Sequence, residues 1–439
     1  MGRSQSTVLV SGRNRPLRLL VVVPAYEPAW AFGGVVRSVS NLCRFMAASG
    51  ADVSVYTMDA NGEGGRLPVP LGTPIDLDGV QVTYFSPTLG HGCVWDSRGI
   101  SRRVREAVGY FDMVYIGEAW HTLGISVARL ARQQGVPFVI GPHGSFLPAA
   151  ARHKRLRKFC YWHLFLKRWI RQASAIHCTT EYERTASEAF LTDARSFIVP
   201  NPLLVGDQEA PPTELLPDIR KHFGIPAGAF LLLTVARVHP SKRVDLLLGA
   251  LQRIVKVSTN VRLLIVGPCS GSYALRMRKL AERLEVHRHL VWAGFLTGAM
   301  LEGCFRASDL FILPSAHENF CNAAVEAMGY GRPVVLSAHM GIARDVERFR
   351  AGVVTELDSG QMADVVLRLM HTPERLREMG KNAARIVRQL YDGHQVARLM
   401  LQAFADILHH SHSSECQWQP VSTGSVRAAE IVVDHRKVE

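Results

Sequence analysis

The chain has 439 residues, 47% of them apolar and 20% charged. At roughly 100–200 residues per domain that is two or three globular domains, and the composition excludes a disordered chain, a collagen repeat and a disulfide scaffold. The formal net charge of +13, with a pI near 9.6, points to anionic partners: nucleic acid, acidic lipid or a phosphorylated substrate.

The N-terminal stretch carries Arg3, Arg13, Arg15 and Arg18 but no long apolar core ahead of a small-residue cleavage site, so it does not read as a signal peptide. Met1-Gly2 followed by Ser6 fits the myristoylation pattern, which is short and often matched by chance. Leu17 to Ala25 is a continuous apolar run, as expected of a strand buried on both faces of a parallel sheet. Gly33-Gly34 follows, then a helical pattern from Val36 to Ala48 that stops at Gly50. Further strands are expected at Val53–Thr57, Met113–Ile116, Pro137–Gly141, Ala175–Thr179 and Ser196–Val199, with a helix near Gly124–Gln134. The alternation predicts a doubly wound α/β sheet.

The Pro-rich stretch Val205 to Pro217 breaks this pattern, and the alternation then restarts. Strands are expected at Phe230–Ala236, Val261–Gly267, Leu290–Ala293, Leu310–Leu313 and Pro333–Leu336, and helices at Asp245–Val257 and Ala274–Leu284. The expected organisation is one Rossmann-like domain over 1–205, a linker over 206–217 and a second domain over 218–410 whose last helix crosses back to the first. Ligands of such sheets bind beyond the carboxyl ends of the strands, here expected in a cleft between two facing domains. Residues 411–439 read as a disordered tail. His409, His410, His412 and Cys416 lie in or beside that Ser-rich tail, where a floppy segment is favoured over a metal site. The eight cysteines form no CxxC pair and read as buried, reduced thiols. No run of about eighteen apolar residues predicts a spanning helix.

The most informative stretch is DLFILPSAHENFCNAAVEAMGYGRPVVL, residues 309–336. A strand ends at Pro314-Ser315, Glu318 falls in a loop, and a helix begins near Phe320 to Asn322, with Glu326 one turn in. The free helix N-terminus offers backbone N–H donors to an anion or to sugar hydroxyls. Two carboxylates near that end can accept hydrogen bonds from vicinal hydroxyls. Glu-x7-Glu alone is common; the strand, loop, helix and Gly331-x-Pro333 context makes it specific. A second motif is Val235 to Lys242, after a strand and before a helix. Arg237 and Lys242, five residues apart at a strand's carboxyl end, can clamp a diphosphate through a bidentate fork and a compact charge.

These two motifs resemble the family-4 retaining glycosyltransferases of GT-B fold, and the resemblance extends over roughly residues 17–400. It implies that Glu318 faces the donor sugar and that Glu326 binds the nucleotide ribose. It implies that the backbone of Asn319, Phe320 and Cys321, with Asn322 at the helix start, approaches sugar and phosphate. Arg237 and Lys242 match the family's diphosphate site, although Ala236 and Arg243 stand where glycines are usual. Gly33-Gly34, with Arg37 behind, matches the phosphate-contacting loop; glycines and a helix N-terminus suit that contact. Gly141-Pro142-His143-Gly144-Ser145-Phe146 matches a strand-end loop whose histidine often reaches the donor sugar. Asn201-Pro202 departs from the usual Asn-Gly at the linker. The base-contacting positions are open, with candidates around Gly267-Pro268 and Gly294-Phe295-Leu296.

The resemblance implies transfer of a hexose from a UDP- or GDP-sugar to a hydroxyl of a glycan or lipid-linked acceptor, with retention, in cell-surface polysaccharide synthesis. No Asp-x-Asp motif stands beside these elements, so Arg237 and Lys242 are expected to replace a metal ion, and no cofactor is expected. Alternatives are an epimerase or hydrolase on the same scaffold, or a basic nucleic-acid-binding protein, for which no recognition motif appears.

The charge itself is uneven, +9 in residues 1–205 and +4 in the remainder. No acidic residue lies between Glu118 and Glu181, and eight basic ones crowd Arg152 to Arg171. On a helical wheel Leu156, Phe159, Trp162, Phe165, Leu166, Trp169 and Ile170 share about half the circle, opposite Arg157, Lys167, Arg168 and Arg171. Arg152–Gln172 therefore reads either as a helix packed on the sheet or as one lying on an anionic membrane. The expected location is cytoplasmic, with peripheral membrane attachment through this segment.

Overall fold

A computed structural model describes residues 15–62, 64–91, 94–152, 155–191, 194–203 and 216–412. The chain divides into two compact units, one of residues up to Pro202 together with those from Gly393, the other Leu203–Asp392. Most of the expected linker, the candidate myristoylation site and residues 413–439 lie outside the described residues.

The first unit carries β1 (Arg18–Val22), β2 (Asp52–Met58), β3 (Pro74–Leu77), β4 (Val80–Phe85), β5 (Leu89–His91), β6 (Val94–Asp96), β7 (Met113–Gly117), β8 (Phe138–Gly141), β9 (Ala175–Cys178) and β10 (Ser196–Ile198). Eight of them form one sheet in the order β10-β9-β8-β7-β1-β2-β4-β3, parallel except for the edge strand β3; β5 and β6 pair separately. The uninterrupted apolar run of β1 serves two cores. Leu19 and Val21 face the helices Gly34–Ala48 and Gly393–His412, while Leu20 and Val22 face the helix Thr122–Gln133 and its neighbours. Each such side chain contributes about 1.5–3 kcal/mol of burial. The C-terminal helix thus completes the first unit's core, through Val396, Met400, Leu401 and Phe404. Gly393 is needed at its start, because a Cβ there would lie 2.1 Å from the Phe45 ring.

The apolar run in the sequence overstates the length of β1, and β3 to β6 carry no such run. β3 alternates in exposure, β5 and β6 are three residues each, and the turn between β3 and β4 is Asp78-Gly79, both at positive φ. A two-residue Asp-Gly turn matches the twist of a hairpin. The helix from Gly34 begins two residues earlier than its apolar pattern suggests. It ends in a Schellman motif, with the Gly50 N–H to Ala47 O and the Ala51 N–H to Met46 O.

The second unit carries β11 (Phe230–Val235), β12 (Val261–Val266), β13 (Leu290–Gly294), β14 (Leu310–Leu313), β15 (Val334–Ser337) and β16 (Gly352–Thr355), all parallel in the order β13-β12-β11-β14-β15-β16. Leu231 and Leu233 pack on one side with the helix Asn322–Gly329, and Leu232 on the other with the helices Val244–Val257 and Ser359–Met370. Strand order reverses between β11 and β14. Such a reversal leaves a crevice beyond the carboxyl ends of the two strands.

Arg152–Gln172 is not one continuous amphipathic helix. Helices over Arg155–Tyr161 and Lys167–Gln172 flank a π turn at Trp162–Leu166, and the wider turn rotates the second helix off the 100° wheel. Trp162, Leu166 and Ile170, four residues apart, are buried in the core, whereas Leu156, Phe159, Leu164 and Phe165 are 77%, 60%, 71% and 53% exposed. The expected single apolar face is therefore divided into a buried stripe and an exposed patch. Among the described residues no helix is long and apolar enough to cross a membrane. Six cysteines are described as free thiols; Cys43, Cys178, Cys304 and Cys321 are buried and Cys160 is exposed.

Candidate functional site

In the second unit the loops leaving β11 and β14 are stitched together at the switch point. After β11 the chain passes Arg237, makes one 3-10 turn over Pro240–Lys242 and enters the helix Val244–Val257. The Ser241 carbonyl accepts from the Ala316 N–H at 2.7 Å, and Ser315 Oγ lies 3.0 Å from both that carbonyl and Glu318 Oε1. The Glu318 backbone is fixed by its N–H to His339 O (3.1 Å) and by the Gly341 N–H to its own carbonyl (3.0 Å). Lys242 Nζ then donates to Glu318 Oε1, and the two side chains are 19% and 18% exposed. Burial pushes the Lys242 ammonium down to about 8, opposed by Cys321 and reinforced by the nearby charge of Arg237. At neutral pH it stays a cation, held against Glu318.

Arg237 is exposed at the end of β11. Its backbone rests on Gly267, where a Cβ would come within 2.1 Å of the Ala236 carbonyl oxygen. Only glycine permits that approach, and it brings the Gly267-Pro268 loop beside Arg237; the Gly267 N–H in turn donates to Gly294 O at 2.7 Å. The helix Asn322–Gly329 opens at Cys321, whose φ of 74° is left-handed and whose side chain makes no cap. The Ala324 and Val325 N–H groups turn to the Cys321 carbonyl instead. Phe320 and Cys321 are buried in the core, leaving their backbone amides as the groups able to meet a ligand. Asn319, Asn322 and Glu326 are half-buried around this end.

Around this cluster Arg243 (φ 50°) and Cys321 adopt left-handed backbone, at a cost of roughly 1–2 kcal/mol each. Arg243 stands where the resemblance implies a glycine. Its guanidinium bonds Asp245 at 2.9–3.2 Å, which offsets part of that strain.

The first unit holds Gly33, Gly34 and His143. Gly33 has φ 83° and opens the helix at Gly34, which is exposed; no neighbour crowds Gly33, so its backbone angle alone demands glycine. His143 follows β8 with a left-handed φ of 49° and is half-buried. Its Nε2 lies 2.9 Å from the Tyr115 hydroxyl, which lies 2.9 Å from His177 Nδ1, and His177 Nε2 lies 2.7 Å from Val199 O. Burial pushes His143 down to about 3, with His177 adding to the effect. It pushes His177 down to about 4, against the bond to Val199. The buried Glu183 anchors the loop, accepting from the Gly144 N–H and from the Thr179 N–H and hydroxyl. Glu118, at the end of β7, has its carboxyl raised by burial to about 7.

The structure thus brings Lys242 and Glu318 into contact, with Arg237 in electrostatic reach of Lys242. Sequence reasoning missed Ser241, Ser315, Tyr115, His177 and Glu183, because each contact joins a loop to a different strand or turn. Among the described residues no group of three His, Cys, Asp or Glu side chains is placed to hold a metal ion.

Two family descriptions match the chain: "Glycosyltransferase Family 4" over residues 32–203 and "Glycosyl transferases group 1" over residues 217–386. D-inositol 3-phosphate glycosyltransferase 2 of Catenulispora acidiphila is 26% identical over 386 residues, covering 82% of this chain and 87% of that one. Alpha-monoglucosyldiacylglycerol synthase of Streptococcus pneumoniae is 22% identical over 244 residues, 54% of each chain. Among solved structures, HepE of Anabaena in complex with UDP and glucose superposes with TM-score 0.69 at 19% identity, covering 89% of this chain and 99% of that one. Sucrose-phosphate synthase of Thermosynechococcus elongatus gives TM-score 0.70 at 18% identity, covering 90% and 99%. These structural likenesses establish the fold.

Proposed function

The chain belongs to the family-4 glycosyltransferases of GT-B fold, enzymes that transfer a sugar from a nucleotide sugar, and from that premise we propose that it moves a hexose from a UDP- or GDP-sugar with retention. The observation that carries the reading is the cluster of Arg237, Lys242, Glu318 and the uncapped helix N-terminus beyond β11 and β14. Such a cluster suits a ligand with a diphosphate at one end and vicinal hydroxyls at the other. Arg237 and Lys242 neutralise the departing diphosphate, while Glu318 accepts from hydroxyls of the sugar. In the first unit, the glycine turn at Gly33-Gly34, whose Gly33 N–H is donated to Trp30 O at 3.0 Å, lets phosphate approach the helix start closely, and His143 contacts a sugar hydroxyl.

The acceptor oxygen attacks the anomeric carbon on the face from which the diphosphate leaves. The C1–O bond to phosphate breaks as the new C1–O bond forms, and the acceptor proton passes to a phosphate oxygen of the leaving group. The protein supplies positioning and charge stabilisation. With two cations in place, the reaction proceeds without a metal, so activity persists in EDTA. A product of retained anomeric configuration, read by proton NMR, is expected; an inverted product, or free sugar with acceptor present, contradicts transfer with retention.

The acceptor reading is a lipid-linked glycan at an anionic membrane, within cell-surface polysaccharide synthesis. It is supported by the exposed Leu156, Phe159, Leu164 and Phe165 among residues whose charges are all basic. The name of one relative, alpha-monoglucosyldiacylglycerol synthase, fits a lipid acceptor. Full-length protein is expected to sediment with vesicles containing anionic lipid at low salt. It should lose that binding when the four apolar residues become Ser, with melting unchanged. Equal sedimentation of the variant defeats the membrane reading.

A further inference from the structure

The hydrogen bonds joining His143, Tyr115 and His177 have a direction that can be read from their buried end. The Val199 carbonyl can only accept, so His177 donates to it from Nε2 at 2.7 Å. Burial keeps His177 neutral. A neutral imidazole with its proton on Nε2 has a bare Nδ1. That nitrogen takes the Tyr115 hydroxyl proton at 2.9 Å. The Tyr115 oxygen then has no proton to give His143 and accepts one instead, from His143 Nε2–H at 2.9 Å. His143 is also kept neutral by burial, so its remaining nitrogen, Nδ1, carries a lone pair.

The surroundings leave little freedom to rearrange. A Cβ at Gly141 would stand 1.9 Å from the Tyr115 hydroxyl and 3.1 Å from His143 Nε2, so the contact exists only because that residue is glycine. His177 is stacked on Phe197 at 5.3 Å. Glu183 pins Gly144, the residue after His143.

We propose that Tyr115 and His177 are positioning residues that hold His143 in its Nε2–H tautomer, so that Nδ1 accepts a hydrogen bond from a hydroxyl of a bound sugar. This rests on the reading of His143 as a sugar contact. It makes His143 an orienting acceptor, selective for a hydroxyl that donates, and excludes it from proton transfer at neutral pH. A ring of the opposite tautomer would present an N–H and reward a different hydroxyl geometry.

Nitrogen-15 NMR of the full chain with labelled histidine reads the tautomer without reference to activity. At pH 7, His143 is expected to show one protonated nitrogen, Nε2, and one bare nitrogen; an Nδ1–H or a doubly protonated ring overturns the proposal. Tyr115→Phe removes the hydroxyl. It is expected to give His143 mixed tautomers and to raise the KM for nucleotide sugar about fivefold, with kcat less affected. An unchanged tautomer in a folded Tyr115→Phe chain also overturns the proposal. Should that variant not fold, the wild-type spectrum still decides. Adding UDP-glucose and GDP-mannose in turn to the wild type separates the two layers. A shift at His143 Nδ1 supports the sugar contact. The expected tautomer with no response to a nucleotide sugar that the chain turns over removes the sugar contact while the positioning of the ring stands.

Discussion

The first unit sets its half-buried histidine at the end of a line of neutral hydrogen-bonding groups, whereas the second sets a lysine against a glutamate. His143 and the Lys242–Glu318 pair follow strand ends, while Tyr115 and His177 sit within β7 and β9, and both clusters keep polar atoms partnered at low exposure. Burial lowers the affinity for a proton in both: the histidines fall to about 3 and 4 and are neutral, while Lys242, starting from a higher ordinary value, falls only to about 8 and is still a cation at neutral pH, in contact with Glu318. A neutral line holds a direction and can orient a hydroxyl. A paired cation holds charge in reserve and can transfer it to an incoming phosphate. The difference suits one unit to recognition and the other to stabilising a leaving group.

The largest effect is expected from removing the carboxylate. Glu318→Gln should lower turnover roughly 10²- to 10³-fold. It should also cost about 1–3 kcal/mol of stability, less than a fully buried pair because each side chain is about one-fifth exposed. A steady-state assay and a urea titration check this; full activity in the variant breaks the assignment of the charged cluster.

Next in size is a contrast in pH dependence. Between pH 6.5 and about 4 the unfolded chain protonates His177 while the folded chain does not, so this group's contribution to stability falls as pH drops, by about 3 kcal/mol; His143 acts in the same direction, and Glu118, raised to about 7, opposes them between about 7 and 4.5. Between about 8 and 10.5 the unfolded chain protonates Lys242 while the folded chain does not, so this group's contribution to stability rises with pH. Donor affinity should move the other way, weakening above about pH 8 as the cation is lost. Urea titrations across pH on wild type and Lys242→Met measure both signs; a basic limb identical in the variant removes Lys242 as its source.

The smallest effect is expected at the strained arginine. Arg243→Gly relieves a left-handed backbone and forfeits the bonds to Asp245, so stability should change by no more than about 1 kcal/mol. A loss well beyond that would mean the Asp245 contact positions the Lys242 loop.

The charged cluster was more legible in the sequence than the neutral one. Glu318-x7-Glu326 and Arg237-x4-Lys242 each fall within one loop and helix start, so their local context and the family resemblance made them legible where spacing alone would not. His143 was visible in its loop, but Tyr115 and His177 come from β7 and β9, and only the sheet order places them beside it. The contact of Lys242 with Glu318 likewise depends on β11 and β14 being neighbours. The core strands were readable because both faces are buried. The edge strands were not read from hydropathy, although Asp78-Gly79 carried a hairpin signal. In Arg152–Gln172 a wheel at 100° could not anticipate the π turn, which separates Leu156 and Phe159 from the buried Trp162 and Leu166.

A donor diphosphate held by Arg237 and Lys242 is the central requirement of this mechanism. Calorimetric titration of UDP- and GDP-sugars into the full chain in EDTA tests it most directly. One nucleotide is expected to bind without metal, and Arg237→Ala should weaken it about 10- to 100-fold while leaving the melting temperature nearly unchanged. Equal affinity in wild type and Arg237→Ala, or binding that appears only with a divalent ion, would contradict the diphosphate clamp.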